Sequence, residues 1–131
     1  MQDRPTADEL LEAIEEFLRD RSKKEPDRLL RFQFLVASNS LAILRREWEN
    51  EEQALEAEWA GLGALLGTAG RPDSLRALRQ AVGEQNSLLC QRIGEGAFDG
   101  EEAEARLLAH LLEATENKVR IATPAALQQD G

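Results

Sequence analysis

Several residue types are scarce in this sequence, and each scarcity excludes a class of protein. The chain has 131 residues but a single cysteine, so it cannot form an internal disulfide. Its start also lacks the basic stretch and apolar run of a secretory signal, and we therefore expect a cytoplasmic protein. No apolar run approaches the ~20 residues that a membrane-spanning helix requires, so we expect no membrane partner.

Histidine is as rare as cysteine, since His110 is the only one. A carboxylate-rich di-iron bundle needs Glu-x-x-His motifs on two helices, which one histidine cannot supply. Dinucleotide fingerprints, calcium-loop spacings and serine-nucleophile signatures are also missing. The sequence therefore predicts no metal, no cofactor and no recognisable catalytic centre.

Positive charge is scarce relative to negative charge. Sixteen Lys and Arg stand against 25 Asp and Glu, which gives a formal net charge of -9. Such a chain repels a phosphate backbone and offers little of the counterion release that drives nucleic-acid binding. We therefore expect no nucleic-acid partner.

Strand signals are almost absent, because there is no tyrosine and no segment alternates apolar and polar residues. Helical spacing runs through most of the chain instead. We predict an all-α fold, a compact bundle of four to five mostly antiparallel helices with the second helix at its centre. One domain is expected over residues 1–131, with loosely ordered tails at about 1–5 and 124–131.

The first helix is predicted to begin with a capping box, in which Thr6 and Glu9 cover each other's backbone donors. The charged stretch 20–27 is expected to connect it to the second helix, with Pro26 in the first turn of that helix. The predicted buried stripe of the first helix comprises Leu10, Leu11, Ile14, Phe17 and Leu18.

The second helix is predicted to carry two apolar stripes and so to be covered on two sides. It is expected to reach about Trp48 and to break in the acidic stretch 49–52, although one long helix bent near Asn50 is the alternative. The first stripe comprises Leu30, Phe34, Ala37, Leu41, Leu44 and Trp48, and the second comprises Phe32, Leu35, Val36 and Ile43.

Glycines, prolines and caps divide the rest of the chain. Gly67 and Gly70 are predicted to end the third helix, and Asp73 or Ser74 to cap the fourth. A capping box from Asp99 to Glu102 is expected to start the fifth helix, which stops before Pro124. The residues that this last helix is predicted to bury are Leu107, Leu108, Leu111, Leu112 and Val119.

The histidine, the cysteine and a group of acids each have a simple structural interpretation. His110 falls away from the predicted apolar stripe, so we expect an exposed imidazole. Cys90 borders an apolar stripe, and we interpret it as an inert buried thiol. The acids around the predicted break are expected to form a solvated face; they are Glu47, Glu49, Glu51, Glu52, Glu56 and Glu58.

Four polar residues fall where apolar ones are expected, and they are the candidate binding residues. Asn39 and Arg46 lie on the second stripe of the central helix, Asn86 lies between Val82 and Leu89, and Lys118 borders the last helix's stripe. A buried amide must find hydrogen-bond partners. In one interpretation the two asparagines pair and fix helix register while the cations reach water. In the other, all four converge on a polar cleft that binds an anion or a partner's side chain.

Four segments resemble a family of small, uncharacterised bacterial helical proteins. They cover most of the chain outside 50–75, and Pro5, Asn39, Arg46, Glu47, Lys118 and Pro124 match the family pattern. The segments are RPTADELLEAIEEFL at 4–18, RFQFLVASNSLAILRRE at 31–47, NSLLCQRIGEGAFD at 86–99 and LLAHLLEATENKVRIATP at 107–124.

One departure from the family concerns Gln33, where members often carry histidine. Genes of this family commonly neighbour those for acyl-CoA dehydrogenases and for phosphotransferases like the aminoglycoside kinases. The resemblance therefore implies a setting in acyl-CoA catabolism, but it implies no activity, because gene proximity and fold do not determine function.

The sequence thus predicts a non-enzymatic accessory protein. Its expected partner is a phosphotransferase-like kinase, an acyl-CoA dehydrogenase or, in a homodimer, a second copy. The alternative is a ligand-binding protein or enzyme that uses the cleft of Asn39, Arg46, Asn86 and Lys118 on an acyl-CoA-like anion. An exposed apolar patch would favour the first function, and a concave pocket lined by these residues the second.

Overall fold

The computed structural model describes residues 4–67 and 70–128, so residues 1–3 and 129–131 of the predicted tails lie outside it. Within the described residues every regular element is helical and no strand occurs, which confirms the all-α prediction. The elements are α1 (Ala7–Lys24), α2 (Arg28–Leu66), α3 (Leu75–Gly94), α4 (Glu101–Ala122) and a short 3-10 helix (Pro124–Gln128).

Backbone contacts group the chain into two units, an N-terminal unit (residues 1–49) and a C-terminal unit (residues 50–131). The boundary falls inside α2, so this helix contributes residues to both units.

The predicted capping box at the start of α1 is confirmed, since Thr6 and Glu9 each bond the other's backbone N–H. The connection after α1 is shorter than predicted, because α1 continues to Lys24. Pro26 precedes α2 instead of lying in its first turn, and the Asp27 carboxylate caps that helix. The charged residues within 20–24 are therefore helical. Lys and Arg stabilise the C-terminal end of a helix because they interact favourably with the helix dipole.

The predicted break at 49–52 is wrong, and the alternative of one long helix is correct: α2 runs unbroken for 39 residues. Glutamate is a good helix former, so an acidic run does not by itself end a helix. Contacts from outside α2 also hold two of these acids. Arg79 Nε lies 2.6 Å from the Glu51 carboxylate, and Arg71 Nη2 lies 2.7 Å from that of Glu52.

In the N-terminal unit, α1 and the first part of α2 form an antiparallel hairpin with a polar seam. Three contacts join the helices at intervals of seven residues: Ser22 Oγ donates to the Arg31 carbonyl (3.2 Å), Ser38 Oγ to the Glu15 carbonyl (3.2 Å), and Arg45 Nε to the Asp8 carboxylate (3.1 Å). Between residues 4 and 49 the only buried side chains are Glu15, Ser22 and Ser38. The hairpin therefore has no buried apolar core of its own.

The C-terminal unit has an apolar core built by the last part of α2, α3, α4 and the segment before α4. Leu62 of α2 and Leu78 of α3 are fully buried. Trp59 packs against this core and is partly buried. The core residues are Leu62, Leu78, Val82, Leu89, Phe98 and Leu107.

The ends of these helices agree with the predictions in part. Gly67 follows α2 with φ of 74°, a conformation that favours glycine, and Ser74 caps α3 through the N–H of Ala77. The capping box predicted from Asp99 to Glu102 is wrong, because Gly100 is the N-cap of α4 and no side chain bonds there. The end of α4 at Ala122, before Pro124, is as predicted.

The buried face of α4 is displaced from the predicted one. Leu107 is buried as predicted, but the next buried residues are His110 and Ala114, whereas Leu108 and Leu112 are exposed, as is Leu111. The expectation of an exposed His110 is therefore wrong, since only 9% of it is accessible. The cause is Gly61 of α2, where a Cβ atom would overlap the imidazole Nδ1 of His110.

Candidate functional site

The four predicted binding residues divide between the two units. Asn39 and Arg46 belong to the N-terminal unit, and Asn86 and Lys118 belong to the C-terminal unit. A cleft formed by all four residues therefore stays a prediction, and each pair is described within its own unit.

In the C-terminal unit, Asn86 and Lys118 meet at one carboxylate. Asn86 Nδ2 donates to Glu58 Oε1 at 3.0 Å, and Lys118 Nζ lies 3.5 Å from the same oxygen. Glu58 is only 8% exposed, so its placement in a solvated acidic face is wrong. A buried carboxylate needs such donors, because an unpaired buried charge is costly.

Sequence reasoning missed Glu58, although a signal for it exists. Leu55 and Leu62 lie three residues before and four residues after Glu58, and both contribute to the apolar core. Residues three and four apart share a helix face, which places Glu58 on the buried side of α2. The helical spacing of the apolar residues around Glu58 therefore predicts its burial, whereas the number of acids near it predicts exposure.

In the N-terminal unit, Asn39 lies on an exposed stripe of α2. The prediction that α2 is covered on two sides is wrong for this part of the helix, because every large apolar residue of the second stripe is exposed. Arg46 continues the stripe and is half-buried. We define the α2 stripe as Phe32, Leu35, Val36, Asn39, Ile43 and Arg46.

A second apolar surface lies on the other side of α2. The residues by which α1 and α2 contact each other, the seam positions, recur at alternating steps of three and four along each helix. The residue before each seam position points about 100° away from the seam, because successive residues of a helix are turned by that angle. Antiparallel right-handed helices turn in opposite senses when viewed from one end, so these preceding residues share one side of the hairpin. We define this hairpin face as Leu10, Ile14, Phe17, Leu30, Leu44 and Trp48, all between 37 and 67% exposed.

The first-helix residues of this face were predicted to be buried, and that prediction is wrong for Leu10, Ile14 and Phe17. Their neighbours Leu11 and Leu18 lie in the seam and are half-buried. The apolar stripe of α1 is wider than the strip that α2 covers, so its outer edge remains in water.

Charged groups reinforce the seam beneath the hairpin face. Burial raises the pKa of the Glu15 carboxyl, but hydrogen bonds from Arg45 and Arg19 and the attraction of both guanidinium groups outweigh burial, so its pKa lies below the ordinary value. Hydrogen bonds to Asp8 and then Glu15 raise the pKa of Arg45. The hairpin is therefore held by an ionised cluster.

Other features offer little chemistry. Cys90 is exposed, so the prediction of a buried thiol is wrong. In residues 4–67 and 70–128, no three His, Cys, Asp or Glu side chains are grouped as metal ligands would be. A depression of about 330 Å³ lies between the last part of α2 and α4, and its lining residues are Asn50, Gln53, Ala54, Ala57, Glu113, Asn117, Arg120 and Ile121.

That lining includes none of the four predicted binding residues. Among the helices that the structure describes, none combines the length and the apolar character needed to cross a bilayer.

Comparison with curated proteins and with solved structures gives no match. A match to a protein family covers residues 24–126, which is most of the chain. The matched region includes α2, α3 and α4 and all four predicted binding residues. The chain therefore belongs to the family described as a domain of unknown function, DUF6285.

Proposed function

We propose that this protein is a non-catalytic interaction protein that docks on a protein partner through the α2 stripe. The observation that carries the proposal is the exposure of Phe32, Leu35, Val36 and Ile43 on one side of a single helix. Scattered apolar residues on a surface need no explanation, whereas a contiguous apolar stripe is typical of an interaction surface.

The spacing of the stripe suggests how the partner binds it. Phe32, Val36, Asn39 and Ile43 follow one another at steps of four, three and four. This is the pattern of anchors by which an amphipathic helix enters an apolar groove of another protein. Asn39 is exposed within the stripe and would supply a hydrogen-bonding group among apolar anchors.

The resemblance described above suggests the identity of the partner. A phosphotransferase-like kinase or an acyl-CoA dehydrogenase is the proposed partner, which would place the protein in acyl-CoA catabolism.

The alternative, an anion-binding cleft, lacks a comparable observation. Asn86 and Lys118, two of its four donors, already bind the carboxylate of Glu58. An incoming anion would compete with that buried carboxylate for the same donors, and a buried carboxylate that loses its partners is costly.

Co-purification tests the proposal. The tagged chain is expressed with the candidate kinase and separately with the candidate dehydrogenase, and we expect stoichiometric recovery of one of them. Val36→Glu should reduce the recovery at least tenfold, because it places a charge among apolar anchors. Leu112→Glu is the control, since Leu112 of α4 is also an exposed aliphatic residue, at 62% against 46% for Val36.

Recovery of neither protein, together with an increase of the thermal unfolding temperature by CoA esters, would contradict the interaction function and favour the ligand-binding alternative. Equal recovery with Val36→Glu and with the unchanged chain would exclude the α2 stripe as the docking surface.

A further inference from the structure

The hairpin face differs from the α2 stripe because both helices of the hairpin contribute to it. Leu10, Ile14 and Phe17 come from α1, and Leu30, Leu44 and Trp48 come from α2. Beneath them the hairpin buries no apolar residue between residues 4 and 49. An apolar side that two helices form together is stably buried against another element, and a second helix pair completes a four-helix bundle.

We propose that a second copy of this chain covers the hairpin face, with the two hairpins antiparallel and related by a two-fold axis. The dimer is independent of the partner proposed above, because it uses the other side of α2.

Charge complementarity selects the second copy as the occupant. Residues 17–32, at the closed end of the hairpin, contain six Lys and Arg against three Asp and Glu. Residues 4–16 and 33–49, toward the open end, contain three Arg against seven Asp and Glu. An antiparallel two-fold dimer places the positive end of each copy against the negative end of the other, whereas a parallel dimer places like charges together.

The apolar positions also match themselves under this symmetry. A two-fold axis perpendicular to the helices at the level of Ala37 stacks α2 on α2 and α1 on α1. Leu30 of one copy then faces Leu44 of the other, because both lie seven residues from Ala37. By the register of the seam, Ile14 faces Phe17 of the second copy, and Ala37 faces its own equivalent, where a small residue permits close approach.

The area is sufficient for a specific dimer. The 18 residues of α1 span about 27 Å at a rise of 1.5 Å per residue, and two helices side by side are about 20 Å wide. The flat area of the hairpin face is therefore roughly 500 Å² per copy, and the accessible area is larger because side chains project from this plane. The accessible surface that is lost from both copies therefore exceeds the ~1,000 Å² expected of a biological interface.

Mass measurement tests whether a second copy of the chain covers the hairpin face. Light scattering during size exclusion should give twice the chain mass of 14.6 kDa at micromolar concentration. Ile14→Glu should weaken the dimer by about 100-fold or more, because it buries a carboxylate against an apolar residue. Ile14 is exposed in the single chain, so the variant should keep its helical circular dichroism. Leu112→Glu, on α4, should remain dimeric.

Cysteine cross-linking tests the arrangement in a Cys90→Ser background. Ala37→Cys should form a covalent dimer under mild oxidation, because two cysteines can bridge only when their Cα atoms lie within about 7 Å. Leu30→Cys and Leu44→Cys should cross-link when mixed but not separately. A dimer in which Ala37→Cys does not cross-link would overturn the antiparallel arrangement.

A chain that is monomeric at every concentration would overturn the second copy as occupant. Val36→Glu separates this failure from that of the proposed function, since it should abolish partner binding and leave the dimer intact.

Discussion

In the C-terminal unit Leu62 and Leu78 are fully buried, whereas the side chains buried in the N-terminal unit are Glu15, Ser22 and Ser38. The C-terminal unit stabilises itself by removing apolar surface from water. The N-terminal unit joins its helices by hydrogen bonds and ion pairs and leaves most of its large apolar side chains exposed. This difference shows that apolar residues of similar helical spacing serve folding in one region and are available for association in the other.

The largest effect is expected in the C-terminal core. Leu62→Ala should lower the free energy of unfolding by about 2 to 5 kcal/mol, because it leaves a cavity at a site with no exposure. Leu112→Ala, on the exposed side of α4, should change it by no more than about 0.5 kcal/mol. Urea denaturation measures both. A Leu62→Ala cost below about 1 kcal/mol would show that this core is not the main source of stability.

A smaller loss is expected at the contact between α2 and α4. Gly61→Ala should destabilise the protein by up to about 3 kcal/mol, because the added methyl group overlaps the His110 ring. Gly83→Ala is the matched control in α3, where nothing lies near the added Cβ, and it should be neutral or stabilising. Adding His110→Ala to Gly61→Ala should remove the overlap. Additive losses in the double variant would contradict this explanation.

The two asparagines should differ although both interrupt apolar stripes. Asn86→Leu should cost about 1 to 2 kcal/mol, because Glu58 remains buried, loses the Asn86 amide and keeps the contact with the exposed Lys118. Asn39→Leu, at an exposed position, should change the free energy of unfolding by at most about 0.5 kcal/mol. Thermal unfolding of both variants measures the difference, and equal losses would show that burial does not distinguish these amides.

The smallest effect is a dependence on pH in the polar hairpin. The folded state lowers the pKa of Glu15 through Arg45 and Arg19 despite the opposing effect of burial. The ionised carboxylate therefore contributes its full stabilisation above the ordinary glutamate pKa of 4.5 and loses it as the pH falls through the lower pKa of the folded protein. Glu15→Gln should flatten the acid limb of the stability curve. Glu16→Gln, one residue further and exposed, should leave that limb unchanged.

Local signals predicted several of the helix ends, although not the capping box at Asp99 or the place of Pro26. The Thr6 capping box, Gly67 after α2 and Ser74 before α3 are each determined by neighbours in the sequence, and the structure agrees with all three. The continuity of α2 through 49–52 was harder to predict, because arginines from residues 71 and 79 pair with the acids there. Contacts between residues distant in sequence cannot be read from local composition.

The helix faces show the same limit. The number of leucines favoured Leu108, Leu111 and Leu112 as the buried side of α4, but the gap at Gly61 accepts His110 instead. The candidate residues were found in part by spacing. The positions of Asn86 and Lys118 relative to apolar stripes identified these two residues. Their partner Glu58 was not identified, because it lies in a run of acids that was predicted to be solvated.

Trp48 and Trp59 are the two tryptophans of the chain, and each belongs to a different unit. Trp48 is exposed on the hairpin face, and Trp59 packs against the apolar core. Indole emission shifts to shorter wavelength when the ring leaves water, so in the single chain the two rings should differ in emission wavelength and in quenching by acrylamide. Covering of the hairpin face by a second copy should shift the emission of Trp48 alone. In a Trp59→Phe variant the tryptophan fluorescence would report on the hairpin alone, and in a Trp48→Phe variant it would report on the core alone. The protein thus contains one optical reporter in each unit without any added label.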